Sequence, residues 1–355
     1  MTISRKKFVL FAAMAMALSV VVMLIALLAA DLLLHRRAER SAGLNRYGYR
    51  GPVVGRKQPG ELRVVMLGGS TVFGYGVTWD ESIPVYLEAA LTQQLKQPVR
   101  VVNLGFNNEG AYAFVPNLED FAYLNYDAIV LYEGYNDLPG DESVNRGVYR
   151  RDSAVYRLTG YYPILPLYLT EKAMMLRSND LNAAYADVNK LNGPKSTVVF
   201  KPNFAQRTGA AALEAVASVT RALDGQLADT ATAAQPATAA SASSLGCQFP
   251  YVTYCESVAA AVRYGRSHGK GVVVGAQPHL PGGRSQELHV RQREMLRAMM
   301  ARVFGGDKRV AFADLSRLLD LNDVANTFDG MHLKPEGNRA VAAALAPYVT
   351  TVAAP

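Results

Sequence analysis

Five residues of this sequence are of the right types to transfer an acyl group. Ser70 stands in Gly68-Gly69-Ser70-Thr71, directly after the apolar run Leu62 to Leu67. Gly105 closes a second apolar run that begins at Val99, and Asn136 lies in Glu133-Gly134-Tyr135-Asn136-Asp137, directly after a third run, Ala128 to Tyr132. Asp329 and His332 are spaced three apart near the C-terminus. A serine hydroxyl is a weak nucleophile until a neighbouring base takes its proton; histidine is the usual base, and a carboxylate can hold its other ring nitrogen. Backbone N–H groups and a side-chain amide can stabilise the oxyanion that forms when the serine attacks a carbonyl. Each residue also has a plainer reading. Ser70 can be a helix N-cap, Asn136-Asp137 a turn, Gly105 the end of a strand, and Asp329 with His332 a surface turn and cap. It is their combination at successive strand ends that favours chemistry.

The elements that must position them follow from the apolar pattern. Leu62–Leu67, Val99–Leu104, Ala128–Tyr132, Gly271–Ala276 and Val310–Ala313 are short, predominantly apolar runs, as expected for strands buried on both faces. Helical spacing is predicted between them over Glu81–Gln97, which Pro98 stops, and over Asn117–Leu124, Arg207–Leu227, Glu256–His268, Ser285–Phe304 and Leu315–Leu321. A final helix is predicted from Pro335 to about Tyr348, with proline well placed in its first turn. Strands that alternate with helices, each ending in a Gly- or Asn-containing loop, indicate βαβ units around a parallel sheet. Ligands bind such sheets at the carboxyl ends of the strands, where Ser70, Gly105 and Asn136 fall.

The chain departs from this regularity between residues 138 and 245, an insertion. Leu138 to Lys201 is rich in Tyr, Arg, Asn and Pro without a strand pattern, a candidate for the wall of a substrate cleft. Ala228 to Ser244 is almost entirely Ala, Thr and Ser, with too little large apolar surface to offset its ordering entropy.

The 355 residues give room for one large domain with additions, and half of them are hydrophobic. Part of that excess is Phe8 to Ala30, an almost unbroken apolar stretch long enough to cross a bilayer, which needs about 20 residues. It is expected to be a membrane anchor; the rival is a signal peptide, whose apolar region is usually about 7–15 residues long. Arg5, Lys6 and Lys7 precede it and Arg36, Arg37 and Arg40 follow it, so flanking charge does not set its orientation. The organisation expected is an anchor over 1–37, a Gly/Pro-rich lead-in over 38–60 that lies on the domain, and a catalytic domain over 61–355.

The formal charge of +7 is not a nucleic-acid signature. Residues 1–40 carry a net +4, leaving +3 for the other 315, and Arg291, Arg293, Arg297 and Arg302 fit the solvated face of a helix. Cys247 and Cys255, eight positions apart, can close a small loop in an oxidising compartment or remain as two buried thiols. The sequence holds no CxxC and no HxxxH, so no zinc site and no cofactor are expected. Tyr75, Trp79 and Tyr132 are read as packing residues, and His279, after the fourth strand, as a candidate substrate contact.

In this order the motifs resemble the blocks of the SGNH, or GDSL-like, hydrolase superfamily. Gly68-Gly69-Ser70-Thr71 matches the first block, Gly105 the second, Gly134-Tyr135-Asn136-Asp137 the third and Asp329-Gly330-Met331-His332 the last. The match covers roughly residues 60–140 and 270–350 and leaves the apolar helix and the insertion unexplained. Gly69 stands where many members have Asp, and Tyr135 separates Gly134 from Asn136; both are similar to variants in bacterial membrane-anchored members with a Gly-Gly-Ser-Thr block. The resemblance implies a three-layer α/β/α sandwich with a five-stranded parallel sheet of flavodoxin-like type. It implies Ser70 as nucleophile, His332 as base, Asp329 as its orienter, and an oxyanion hole of the Ser70 N–H, the Gly105 N–H and the Asn136 amide, without metal or cofactor. The expected activity is hydrolysis of small acyl esters, such as acetyl, on a cell-envelope carbohydrate or lipid, with the domain outside the bacterial inner membrane. Two alternatives stay open: an O-acyltransferase that passes the acyl group to a polysaccharide, and an inactive carbohydrate-binding protein on the same fold.

Overall fold

The computed structural model describes residues 5–38, 43–138, 148–179, 201–228 and 245–353. Helix α1 (Arg5–Ala38) is followed by β1 (Leu62–Leu67), the single helical turn α2 (Ser70–Phe73), α3 (Ile83–Leu95), β2 (Val99–Asn103), α4 (Phe114–Asp120) and β3 (Ala128–Tyr132). The insertion supplies α5 (Ala154–Thr159), α6 (Leu165–Ser178) and α7 (Phe204–Ala228). Helix α8 (Val252–Ser267), β4 (Gly271–Ala276), α9 (Gly283–Phe304), β5 (Val310–Asp314) and α10 (Pro335–Ala353) complete the chain.

The five strands form one parallel sheet in the order β2-β1-β3-β4-β5. Every residue of β1, β3 and β4 is buried, as expected of a parallel sheet covered on both faces. On one face Val64, Met66 and Val130 pack against Ile83, Leu87 and Leu91 of α3 and Val341, Leu345 and Val349 of α10. On the other Val65, Leu67 and Ile129 pack against α4, α8 and α9. Burying each such side chain is worth about 1.5–3 kcal/mol, and the two apolar faces hold the helices on opposite sides of the sheet. The expected three-layer α/β/α architecture is therefore the one observed. Its strand order reverses between β1 and β3, so the loops after those strands diverge and leave a crevice at their carboxyl ends.

The elements differ from the sequence expectations in three places. Residues 315–321 form turns instead of a helix. Asp side chains there capture backbone N–H groups that a helix would use: Asp314 Oδ1 accepts from Ser316 N at 3.2 Å and Asp320 Oδ1 from Asn322 N at 2.9 Å. Helix α10 runs on to Ala353 through Pro347, because Val349 and Val352 are still buried against the sheet. In the insertion, the described part of 138–201 is helical, with Arg150, Tyr156 and Tyr162 buried in the domain core. The low-complexity stretch 229–244 lies outside the described residues.

In the segment before β1, Leu44, Tyr49 and Arg50 are buried, and Arg50 N donates to Asn103 O of β2 at 3.1 Å. Lys7–Ala38 within α1 is long and apolar enough to cross a membrane. Its last turns join the domain. Asp31 and His35 are buried; Asp31 accepts from the Tyr161 hydroxyl and from Leu165 N, and the His35 ring lies 2.8 Å from Leu44 O and 2.9 Å from Tyr162 O. Cys247 and Cys255 are joined by a disulfide.

Candidate active site

Strand β1 ends at Leu67, and the two glycines after it turn the chain into α2, whose first residue is Ser70. Gly74, in the left-handed region at φ +85°, closes that turn, its N–H donating to Ser70 O at 2.9 Å. A turn this short has no stability of its own. It is fastened from outside: Asn103 Nδ2 at the end of β2 donates to Val72 O at 2.9 Å, and the Arg50 guanidinium donates to the carbonyls of Phe73, Gly74 and Val77. Arg50 is 3% exposed, and burial pulls its guanidinium down to about 10.

The loop between β5 and α10 brings in the base. His332 Nε2 lies 2.9 Å from Ser70 Oγ, and His332 Nδ1 lies 2.6 Å from Asp329 Oδ2. The other oxygen of Asp329 accepts from the backbone N–H of His332 at 2.8 Å and of Met331 at 3.0 Å, so one carboxylate folds the turn and orients the ring. Burial raises the Asp329 carboxyl, but the hydrogen bonds from the His332 side chain and these amides outweigh it and bring it to about 2. The Tyr75 ring packs against the His332 ring at 4.6 Å between centroids and is 37% exposed, which puts it at the mouth of the site and not in the core. Tyr132 is buried, as its packing role requires.

Asn136 sits on the helical turn after β3. Its Nδ2 donates to Glu109 O at 2.9 Å, and its side chain also bonds to the carboxyl of Glu133. Gly105 follows β2, where a Cβ would stand 2.5 Å from Phe73 N, so only glycine lets that loop pass behind the nucleophile turn. The Gly105 N–H donates to Asn103 Oδ1 at 3.0 Å, and serving an oxyanion requires it to exchange that acceptor. Ser70, Asp329 and His332 are thus in direct contact, with Gly105 and Asn136 on the adjoining strand ends. His279, after β4, is half-buried and stacked on His289 at 5.5 Å between ring centroids, while Tyr135 covers the other ring of that pair.

Three acidic residues were not singled out by the sequence pattern. The Glu133 carboxylate accepts from Gly69 N, from Gly134 N at 2.8 Å and from Asn136 N at 3.0 Å. Burial pushes its carboxyl up to about 7 against the pull of those amides. Burial and the neighbouring Glu133 push Asp137 up to about 8, and Asp137 accepts from Ala111 N at 2.8 Å. Glu109 is held by the fully buried Arg150 of the insertion at 3.1 Å, with Asn117 donating to the same oxygen at 2.8 Å. Arg150 also donates to Gly48 O and Leu104 O, tying the lead-in and the β2 loop beneath the site. The only sequence signal for these residues is acidic or basic side chains in otherwise apolar or Gly-rich surroundings.

No protein-family model matches the sequence, and no curated protein matches it. Among solved structures, a member of the lipolytic G-D-S-L family from Veillonella parvula is similar over 81% of this chain and 98% of its own, at 12% identity and a TM-score of 0.42. A catalytic mutant of an acetylxylan esterase from Geobacillus stearothermophilus is similar over 83% of this chain and 95% of its own, at 11% identity and a TM-score of 0.41. A family 3 carbohydrate esterase from Clostridium thermocellum is similar over 82% and 97%, at 13% identity and a TM-score of 0.39.

Proposed function

We propose that this chain is a membrane-anchored serine ester hydrolase of the SGNH kind that removes small acyl groups, such as acetyl, from a cell-envelope carbohydrate or lipid. The observation that carries the reading is the unbroken contact from Ser70 Oγ through His332 to Asp329, at 2.9 and 2.6 Å. These contacts join a strand-end serine to a turn 262 positions away in sequence. A serine cap or a surface turn has no need of them.

In this reaction Ser70 Oγ attacks the ester carbonyl as His332 Nε2 takes its proton. Asp329 holds Nδ1–H, fixing the tautomer with a bare Nε2 and stabilising the imidazolium that forms. The oxyanion is assigned to the Ser70 N–H, with the Asn136 amide joining when one of its N–H groups leaves Glu109 O or Glu133 and the Gly105 N–H joining when it leaves Asn103. Collapse breaks the ester C–O bond as the imidazolium protonates the departing alcohol, and water, activated by the same ring, then releases the acid and restores Ser70.

Placement outside the inner membrane is supported by the Cys247–Cys255 disulfide, a bond of oxidising compartments, and by α1. Asp31 and His35 are buried against the domain, which favours a retained anchor over a removed signal peptide. The test is reaction of the full chain in detergent with a fluorophosphonate, beside Ser70→Ala and His332→Ala. Labelling of the parent that is lost in Ser70→Ala supports the reading; an unlabelled, folded parent overturns it. Acyl release into water in the presence of a sugar acceptor separates hydrolysis from transfer.

A further inference from the structure

Glu133 is 3% exposed at the carboxyl end of the central strand and forms no ion pair among the described residues. A carboxyl group held there without a cation costs stability, and apolar packing alone would favour a leucine or methionine. What Glu133 does have is a particular set of donors. One oxygen accepts from the N–H of Gly69, the residue before the nucleophile. The other accepts from the N–H groups of Gly134 and Asn136, and the Asn136 side chain reaches the carboxyl as well. Its backbone carbonyl accepts from the Tyr254 hydroxyl at 2.8 Å, which holds the start of the loop in place. Gly69 makes room for the arrangement: a Cβ there would stand 2.1 Å from Asn136 Nδ2 and 2.5 Å from Glu133 Oε2.

We propose that Glu133 is a positioning residue that joins the nucleophile turn to the oxyanion donor, its carboxylate fixing Gly69 on one side and Asn136 on the other. The inference rests on the serine-hydrolase reading above. Its consequence is that Ser70 and the Asn136 amide keep one separation and one relative orientation although they come from different strands. The carboxylate bridges the loops that follow β1 and β3, just past Leu67 and Leu131, where the backbone pairing of the two strands ends. Three N–H groups on Glu133 against one on Asp137 make Glu133 the more readily ionised of the two acids, so it serves as acceptor while Asp137 retains the proton.

The test compares five forms of the full chain in detergent: parent, Ser70→Ala, Glu133→Gln, Asn136→Ala and the Glu133→Gln/Asn136→Ala double variant. Glutamine keeps the size of Glu133 but sets an NH2 group against either Gly69 N–H or the Gly134 and Asn136 amides. Phosphonylation of Ser70 and kcat on p-nitrophenyl acetate are expected to fall roughly 10- to 100-fold in Glu133→Gln, with KM nearly unchanged, because the group displaced acts on the transition state. In the Asn136→Ala background the same substitution is expected to cost less than about threefold, since two residues acting through one donor are not additive. Equal rates for parent and Glu133→Gln overturn the proposal, as does an equal cost in both backgrounds, which would mean a general structural role. Should Glu133→Gln fail to fold, Glu133→Asp, which keeps the charge but shortens the reach, is read in the same two backgrounds. An unlabelled parent overturns the hydrolase reading and this inference together, whereas a labelled parent with an unaffected Glu133→Gln overturns this inference alone.

Discussion

The guanidinium of Arg50 closes the far end of the helical turn that begins at Ser70: its Nη1 donates to Gly74 O at 2.6 Å and to Phe73 O, and its Nη2 to Val77 O. A cation at the C-terminal end of a helical turn meets carbonyls that have no partner in the helix, and the nearby Asp80 carboxylate favours its charge. Replacing Arg50 by Met keeps much of the apolar stem that lies over the Phe73 ring but strands these carbonyls in the interior. We expect a loss of about 3 kcal/mol in stability and a fall in Ser70 phosphonylation even at temperatures where the variant is folded. Denaturation curves and labelling rates on the same samples check both; a variant as stable and as reactive as the parent removes Arg50 from the site's support.

The role of Asp329 separates cleanly by substitution. Asn at this position can still accept from His332 N and Met331 N through its carbonyl, so the turn is preserved, but its NH2 group faces Nδ1 and favours the tautomer that carries a proton on Nε2. Asp329→Asn is expected to lower kcat roughly 10²- to 10⁴-fold with little change in melting temperature. Because the hydrogen bonds from His332 hold the Asp329 carboxyl near 2, this group stays ionised throughout ordinary assay conditions. The acid limb of the parent's pH–rate profile should therefore be governed by other groups. An Asp329→Asn enzyme as fast as the parent would mean that Asp329 only shapes the turn.

The pair Glu133 and Asp137 gives stability an unusual pH dependence. Both carboxyls are raised on folding, by burial first, so the native state keeps protons that the unfolded chain has released. With more protons bound in the folded form, their contribution is fullest below about pH 4, near the unfolded values, and is lost as pH rises through about 7 and 8. Denaturant unfolding of the parent is expected to show stability falling from pH 5 to pH 9, with a shallower fall in Asp137→Asn. A slope unchanged by that substitution would show that the pair does not titrate in this range.

Much of the architecture was legible because burial on both faces of a parallel strand leaves a predominantly apolar run. The limits of β1, β3 and β4 are those expected from Leu62–Leu67, Ala128–Tyr132 and Gly271–Ala276. The contact of Ser70, His332 and Asp329 was legible because turn chemistry places each at a strand end or loop on one edge. Arg50, Glu133 and Arg150 were not, since each acts on backbone carbonyls or amides of loops distant in sequence, and no periodicity records such a partner. Residues 315–321 were misread for a related reason: their spacing is helical, but Asp314 and Asp320 hold the backbone in turns.

The last prediction concerns the join between α1 and the domain. Asp31 and His35 are one helical turn apart, and both face the segment from Tyr161 to Leu165, where Asp31 accepts from Tyr161 Oη and Leu165 N. They are buried although they belong to the helix whose apolar stretch is long enough to cross a membrane, so the end of α1 serves as part of the domain's wall. A fragment that begins at Ser41 lacks both residues and leaves Leu165 N and the carbonyls of Leu44 and Tyr162 without these partners. A fragment that begins at Asp31 keeps them and omits the apolar stretch from Phe8 to Ala30. The longer fragment is expected to be more stable by about 2–4 kcal/mol, the cost of several buried polar groups losing their partners, and Asp31→Ala within it should remove much of that difference. Urea denaturation of the three proteins checks the expectation. Equal midpoints would show that the domain takes no support from α1, whereas the expected order would mean that the last turns of α1 are part of the domain's fold.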